Sequence, residues 1–230
     1  MKRFYKTAAA VACPDGTAIL LDDKPVKTPA RRALAVPTPA LGEAIAAEWT
    51  AQNEMIDPGT MKLTGLANAA IDRVAPDPAA FARELARYAD SDLLCYRADR
   101  PADLVARQAT EWDPLLAWAR RRYDVDFVVA AGIIHEAQPV ASVARLSTAI
   151  AAPDAFRLAA LSPIVTIGGS LVAALALLEG EIGPDDAFAV THLDELWQAE
   201  QWGDDAEAMV ARDHRRADFL AAARMLELLG

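Results

Sequence analysis

Phe4-Tyr5-Lys6-Thr7-Ala8-Ala9-Ala10-Val11-Ala12, then Cys13-Pro14-Asp15-Gly16, then Thr17-Ala18-Ile19-Leu20-Leu21: this order of apolar run, turn signal and apolar run decides the fold class. Pro, Asp and Gly are turn formers, and two extended runs joined by such a tetrapeptide read as a hairpin. Asp22-Asp23-Lys24 predicts a second turn. Pro25–Thr28 and Ala33–Val36 then read as short extended pieces. Proline cannot donate to a ladder, so these pieces belong at a sheet edge or a bulge.

Beyond Val36 the pattern changes to helix. Thr38 suits an N-cap and Pro39 the first helical position. Leu41, Ile45 and Trp49 follow on one face. Asp57-Pro58-Gly59 breaks the chain. A second stripe runs from Leu63 to Val74, and Asp77-Pro78 opens a third helix carrying Phe81, Leu85 and Tyr88. Further helices are expected over 102–122, 140–151, 155–161, 164–178, 185–201 and 205–229, with Asp113-Pro114 able to split the first. Phe127–Ile134 is apolar and β-branched, and reads as a short strand or a buried connector. The expected fold is α+β: a small N-terminal α+β domain over residues 1–75, then a larger all-helical domain over 76–230.

The chain has 230 residues, 53% of them hydrophobic, enough for a sizeable core. Its net charge of −10 argues against nucleic acid as the main partner, since phosphate binding needs clustered Lys and Arg. The short runs Arg31-Arg32, Arg120–Arg122 and Arg215-Arg216 read as solvated faces or helix ends. The 2 cysteines, Cys13 and Cys95, form no CxxC pair, which fits a reducing compartment. No signal peptide is read at the start. The longest apolar stretch, Ile164–Leu178, is shorter than the about 20 residues a membrane span needs, so a buried core helix is expected. Its Gly168-Gly169 pair marks either a close helix approach or a kink.

Motifs for chemistry are missing. His135-Glu136 lacks the second histidine of a zinc protease, Gly169-Ser170-Leu171 is no nucleophile elbow, and neither GxGxxG nor a Gly-Lys-Ser/Thr loop occurs. No catalytic residue, metal site or cofactor is assigned.

The sharpest feature is the tract from Glu179 to Glu207, which holds ten acids and no Lys or Arg. Its charge equals that of the whole chain. Phe188, Leu193, Leu196, Trp197 and Trp202 run through it, so it is no disordered acidic tail. It reads as a docking face for a basic or partly unfolded partner. At about 100° per residue, Leu196, Trp197 and Glu200 fall near Leu193, whereas Glu195 and Trp202 fall on the opposite side. Two aromatic faces leave two readings. Either one face awaits a partner, or the helix is buried on both sides with Glu195 or Glu200 paired to an Arg.

Several strings together resemble the assembly chaperones of ATP synthase that attend the alpha subunit of its catalytic sector. They are Arg3–Lys6, Leu21–Pro29, Leu34–Thr38, Ala47–Gln52, Ile56–Pro58, Leu66–Asp72, Tyr88–Tyr96 and Leu193–Gln198 with Trp202-Gly203. The resemblance covers nearly the whole chain and is most specific from Leu21 to Asp72. Lys62 and Ala69 stand where many relatives carry Pro and Thr. The resemblance implies a two-part fold and a role in holding the free alpha subunit until it meets beta. It implies a binding role for Glu195, and the candidate partner-binding set is Glu195, Trp197, Gln198, Glu200 and Trp202. Mitochondrial relatives carry a targeting extension that this chain lacks, so a bacterial cytoplasmic member is expected. Two alternatives are an enzyme with a site between domains, using Asp90 and Asp92 beside Tyr96, and a nonspecific acidic holdase.

Overall fold

The computed structural model describes every residue except 133 and 204. The fold is α+β. Its strands are β1 (Ala8–Cys13), β2 (Gly16–Leu21), β3 (Lys24–Pro25), β4 (Ala35–Val36), β5 (Tyr96–Arg97) and β6 (Ala130–Ala131). Its helices are α1 (Pro39–Thr50), α2 (Lys62–Ala69), α3 (Pro78–Ala86), α4 (Ala102–Tyr123), α5 (Val140–Ala151), α6 (Ala155–Gly168), α7 (Leu171–Leu178), α8 (Pro184–Thr191), α9 (Leu193–Trp202) and α10 (Ala206–Leu229). The chain forms two compact units. The first takes Met1–Pro78, Asp154–Ala160 and Ala221–Gly230; the second takes Ala79–Pro153 and Leu161–Leu220.

In the first unit β2 is the central strand. It pairs antiparallel with β1 from Ala8↔Leu21 to Cys13↔Gly16, and on its other edge with β3 and then β4. The expected first strand is shorter than its apolar run, because residues before Ala8 bond elsewhere. Arg3 donates to the carbonyls of Tyr5 and Lys6, and its N–H bonds the carbonyl of Glu54. Gly16 is obligatory: its φ is +119°, and a Cβ there would sit 2.3 Å from the Val36 carbonyl oxygen.

Side-chain carboxylates and hydroxyls close the first unit. Thr38 Oγ1 accepts from Leu41 N at 3.2 Å and caps α1. The Glu48 carboxylate, on α1, accepts from Leu63 N and Thr64 N at 2.7 and 2.8 Å, capping α2 from a neighbouring helix. Asp22 accepts from the N–H groups of Thr7 and Lys6, which hold its carboxyl below the usual range. Asp72 accepts from Thr28 Oγ1 and Ala30 N and fixes the loop before β4. The core joins Ile19, Leu34, Val36, Leu41, Ile45 and Ala67 to Ala160, Met225 and Leu229. The start of α6 and the last turns of α10 thus supply apolar surface to this core, which the sheet and its two local helices leave incomplete.

The second unit is helical apart from β5 and β6, which pair in parallel. Its centre is α7, in which Leu171–Ala176 are all buried. Three expected boundaries move. Pro114 does not split α4, which runs unbroken for 22 residues. Pro163 does not end α6; the break falls at Gly169 (φ +66°) instead. Gly168 approaches Thr191 closely, with a built Cβ only 3.1 Å from its methyl group. The close approach and the kink are therefore both present, one at each glycine. The helix expected over 185–201 is divided at His192 into α8 and α9.

A helix buried on every side must find partners for its first N–H groups. Asp92, fully buried, supplies them: it accepts from Val172 N at 2.9 Å, Ser170 Oγ at 2.8 Å and Leu94 N at 3.0 Å. Burial pushes its carboxyl up to about 6, against the lowering effect of those donors. The folded chain therefore keeps a proton on Asp92 that the unfolded chain releases above about pH 4. Its contribution to stability is full below that pH and is lost as pH rises through about 6. Urea midpoints of the wild type and Asp92→Asn are expected to change relative to one another across this window. A gap that is constant with pH would contradict the assignment. Asp92→Ala, which strands buried donors, should cost about 3 kcal/mol.

Candidate partner-binding face

The acidic tract folds into α8, α9 and the start of α10, and four of its acids, Glu179, Asp185, Glu195 and Glu200, meet an arginine. Glu195 lies in the first turn of α9, where the positive end of the helix dipole favours a carboxylate. It accepts from Arg215 Nη2 at 2.7 and 2.9 Å, with Arg212 at 3.8 Å. Glu200 takes a two-pronged contact from Arg107 at 2.5 and 3.0 Å, which holds its carboxyl below the usual range. Arg216 pairs with Asp185, and Arg122 with Glu179. Asp194 accepts from Gln108 Nε2 at 2.7 Å. Glu181, Asp186 and Glu207 carry no ion pair among the described residues.

The apolar side of α9 is formed by Leu193 and Trp197, both buried. Trp202, the last residue of α9, is 75% exposed. Its ring meets Trp197 edge to face, with centroids 5.5 Å apart. The helical wheel predicts two separate aromatic faces; the structure joins the two rings instead. The helix stops at Trp202 because Gly203 takes φ +83°, so this side chain is free of the wheel's constraint. Gln198 is exposed beside them. The paired reading and the open reading thus coexist: Glu195 and Glu200 are held by arginines, and Trp202 faces solvent. Met209 and Val210 on α10 are also exposed, at 39% and 57%. A Met-Val pair inside a helical stripe reads as core, so sequence alone singles out neither.

His192, between α8 and α9, stacks on Phe188 with centroids 3.9 Å apart, and burial lowers its pKa. A groove of about 410 Å³ beside it is lined by Leu93, Trp112, Thr166, Asp194, Glu195 and Arg215, among others. Asp92 does not join Asp90 and Tyr96: it caps α7. Asp90 accepts from Gln138 N at 3.0 Å and lies 3.5 Å from His135 Nε2, whose Nδ1 meets the Tyr96 hydroxyl at 3.0 Å, so His135 bridges those two residues. Among the described residues no group of three or more His, Cys, Asp or Glu could hold a metal, and no helix is long and apolar enough to cross a membrane.

Residues 2–120 match the family described as ATP12 chaperone protein, slightly more than half of the chain. The chain belongs to the ATP12 chaperone family. The likeness continues past residue 120. Atp12 from Paracoccus denitrificans, a solved structure, is 40% identical with a TM-score of 0.93, covering 99% of this chain and 97% of its own. The Atu1473 protein of Agrobacterium tumefaciens is 42% identical with a TM-score of 0.94, covering 100% of this chain and 86% of its own. Mitochondrial atp12 of Schizosaccharomyces pombe is 25% identical over 214 residues, 88% of this chain and 74% of that protein. ATP12 proteins are chaperones rather than enzymes. The segment most specific in sequence, Leu21–Asp72, lies wholly within the matched region.

Glu195 is 35% exposed and its hydrogen-bonded partner Arg215 40%, while the more distant Arg212 is 13% exposed, which places this cluster between a surface bridge and a buried one. Glu195→Gln is expected to cost about 1–2 kcal/mol, more than a surface pair and less than a broken buried one. A urea denaturation series checks this. A loss below about 0.5 kcal/mol would make the pair a surface contact only.

Proposed function

We propose that this ATP12-family chaperone acts in ATP synthase assembly by binding the free alpha subunit of the catalytic sector and shielding its beta-facing apolar surface until the alpha–beta hexamer forms. The observation that carries this reading is Trp202, a large exposed aromatic at the end of α9, backed by buried Trp197 and flanked by ion-paired carboxylates. Interface hot spots have this make-up: an aromatic anchor with a charged surround. The resemblance of the strings quoted above to alpha-specific chaperones supports the choice of client.

The binding set is Glu195, Trp197, Gln198, Glu200 and Trp202. Trp202 supplies contact area and Trp197 fixes its ring. Glu195 and Glu200, each held by an arginine, give the face ordered acceptors. Glu181, Asp186 and Glu207, without an ion pair among the described residues, supply charge that speeds encounter and selects partners more than it adds affinity. An unassembled subunit exposes apolar surface that aggregates. A protein that only binds can mask such surface and yield it to a better partner, which moderate affinity permits. The free thiols Cys13 and Cys95 and the bacterial relatives support a bacterial cytoplasmic setting.

Light scattering of isolated alpha subunit at equimolar chaperone tests the proposal, and suppression of aggregation is expected. Trp202→Ala removes little buried surface and should keep the melting temperature within about 2 °C. It should weaken capture of alpha by about 2 kcal/mol, near thirtyfold. Equal suppression of unrelated unfolded proteins would instead make the molecule a general holdase.

A further inference from the structure

The segment before α5 contains the two-residue strand β6, and among the described residues its backbone bonds along one edge only, at every second residue from Asp126 to Gly132. Asp126 exchanges both backbone bonds with Ser142 Oγ, at 2.9 Å from its N–H and 2.7 Å to its carbonyl. Val128 does the same with the buried Gln138 amide, at 3.0 and 2.9 Å. Ala130 and Ala131 pair in register with Tyr96 and Arg97, and Gly132 N–H donates to the Arg97 carbonyl at 2.8 Å. The side chain of Gln138 therefore stands in for the peptide group of a neighbouring strand, and Ser142 extends the same edge. Backbone groups alternate sides along a strand. Those of Phe127, Val129 and Ala131 turn the other way, and among the described residues no hydrogen bond reaches them.

Native proteins guard such an edge with Lys, Pro, a bulge or a cover. Phe127–Gly132 has no charge and no proline, and Val128 and Val129 are 40% and 44% exposed on opposite faces. The expectation of a short strand or a buried connector resolves into a two-residue strand, Ala130–Ala131, within a largely exposed segment. The donors and acceptors of Val129 and Ala131 are about 6.6 Å apart, the repeat that only another extended chain matches.

We infer that the vacant edge of Phe127–Gly132 receives an extended, uncharged, β-branched segment of the client polypeptide, by strand addition. The inference rests on the chaperone reading above and gives it a second contact, chemically unlike the one at Trp202. Main-chain bonds supply affinity there, and the Val128 and Val129 side chains select alternate apolar residues of the incoming strand. An unassembled subunit offers such segments where its partner's contacts are missing.

Hydrogen exchange of the full chain tests this, read separately over 127–132 and 193–202, with isolated alpha subunit added. Val129 and Ala131 should exchange at least about tenfold more slowly in the complex. Val129→Lys, which leaves every bond of the occupied edge in place, should abolish that slowing, and Ala131→Pro should do so by removing an unused N–H. Protection of 193–202 without 127–132 overturns the edge inference and leaves the client reading standing. Slowing that grows with the chain's own concentration, with no alpha present, assigns the edge to a second copy and also overturns it. A capped peptide of alternating valine and threonine is the second probe. It should slow the same two amides even if alpha does not bind, and its failure to do so overturns the inference independently of the client.

Discussion

The second unit depends on how α7 is capped. Leu171–Ala176 of this helix are buried, so water cannot reach its first N–H groups and a protein acceptor must. Asp92 and Ser170 provide it, and the arrangement ties the 3₁₀ turn at Leu93–Cys95 to the start of α7. Helices α4 and α8 pack on α7, and α9 follows α8 after one residue. The position of the tryptophan pair is thus inherited from a carboxylate that never meets solvent. The helix dipole and three donors favour its charge, burial opposes it, and burial is the larger effect.

Charge along the tract has two states. Where an arginine of the same unit lies within reach, the carboxylate is neutralised and oriented, as at Glu195 and Glu200. Where none does, as at Glu181, Asp186 and Glu207, charge remains for the surroundings. This division makes the face less acidic than its sequence suggests and more ordered. An acid already fixed by a bidentate arginine loses little further freedom when a partner arrives, which lowers the entropic cost of binding.

Much of this is legible in the sequence. The turn at Cys13–Gly16, the cap at Thr38, the start at Pro78 and the span of α5 follow from local chemistry, and they set the fold class. The strings that carry the family resemblance in Leu21–Asp72 include Asp22, Thr28, Thr38, Glu48 and Asp72, each of which closes a turn, a loop or a helix end. What is not legible lies at long range. Nothing local says that Ala160, Met225 and Leu229 complete the core around β2, or that Arg215 reaches Glu195. Proline at 114 and 163 reads as a breaker, yet each helix runs on through it, and the break comes at a glycine with positive φ. The candidate site is half legible: the residues stand out by composition, but their pairing and the meeting of Trp197 with Trp202 arise only in the fold.

The first unit is assembled from stretches far apart in the polypeptide. Its sheet emerges early in translation, but Met225 and Leu229 follow only after the whole second unit has been made. During synthesis the hairpin and α1 must therefore wait, with apolar flanks bare, while that intervening message is read. A molecule whose business is to keep another chain from sticking thus passes through a vulnerable interval of its own on the ribosome, one that ends only when α10 comes home.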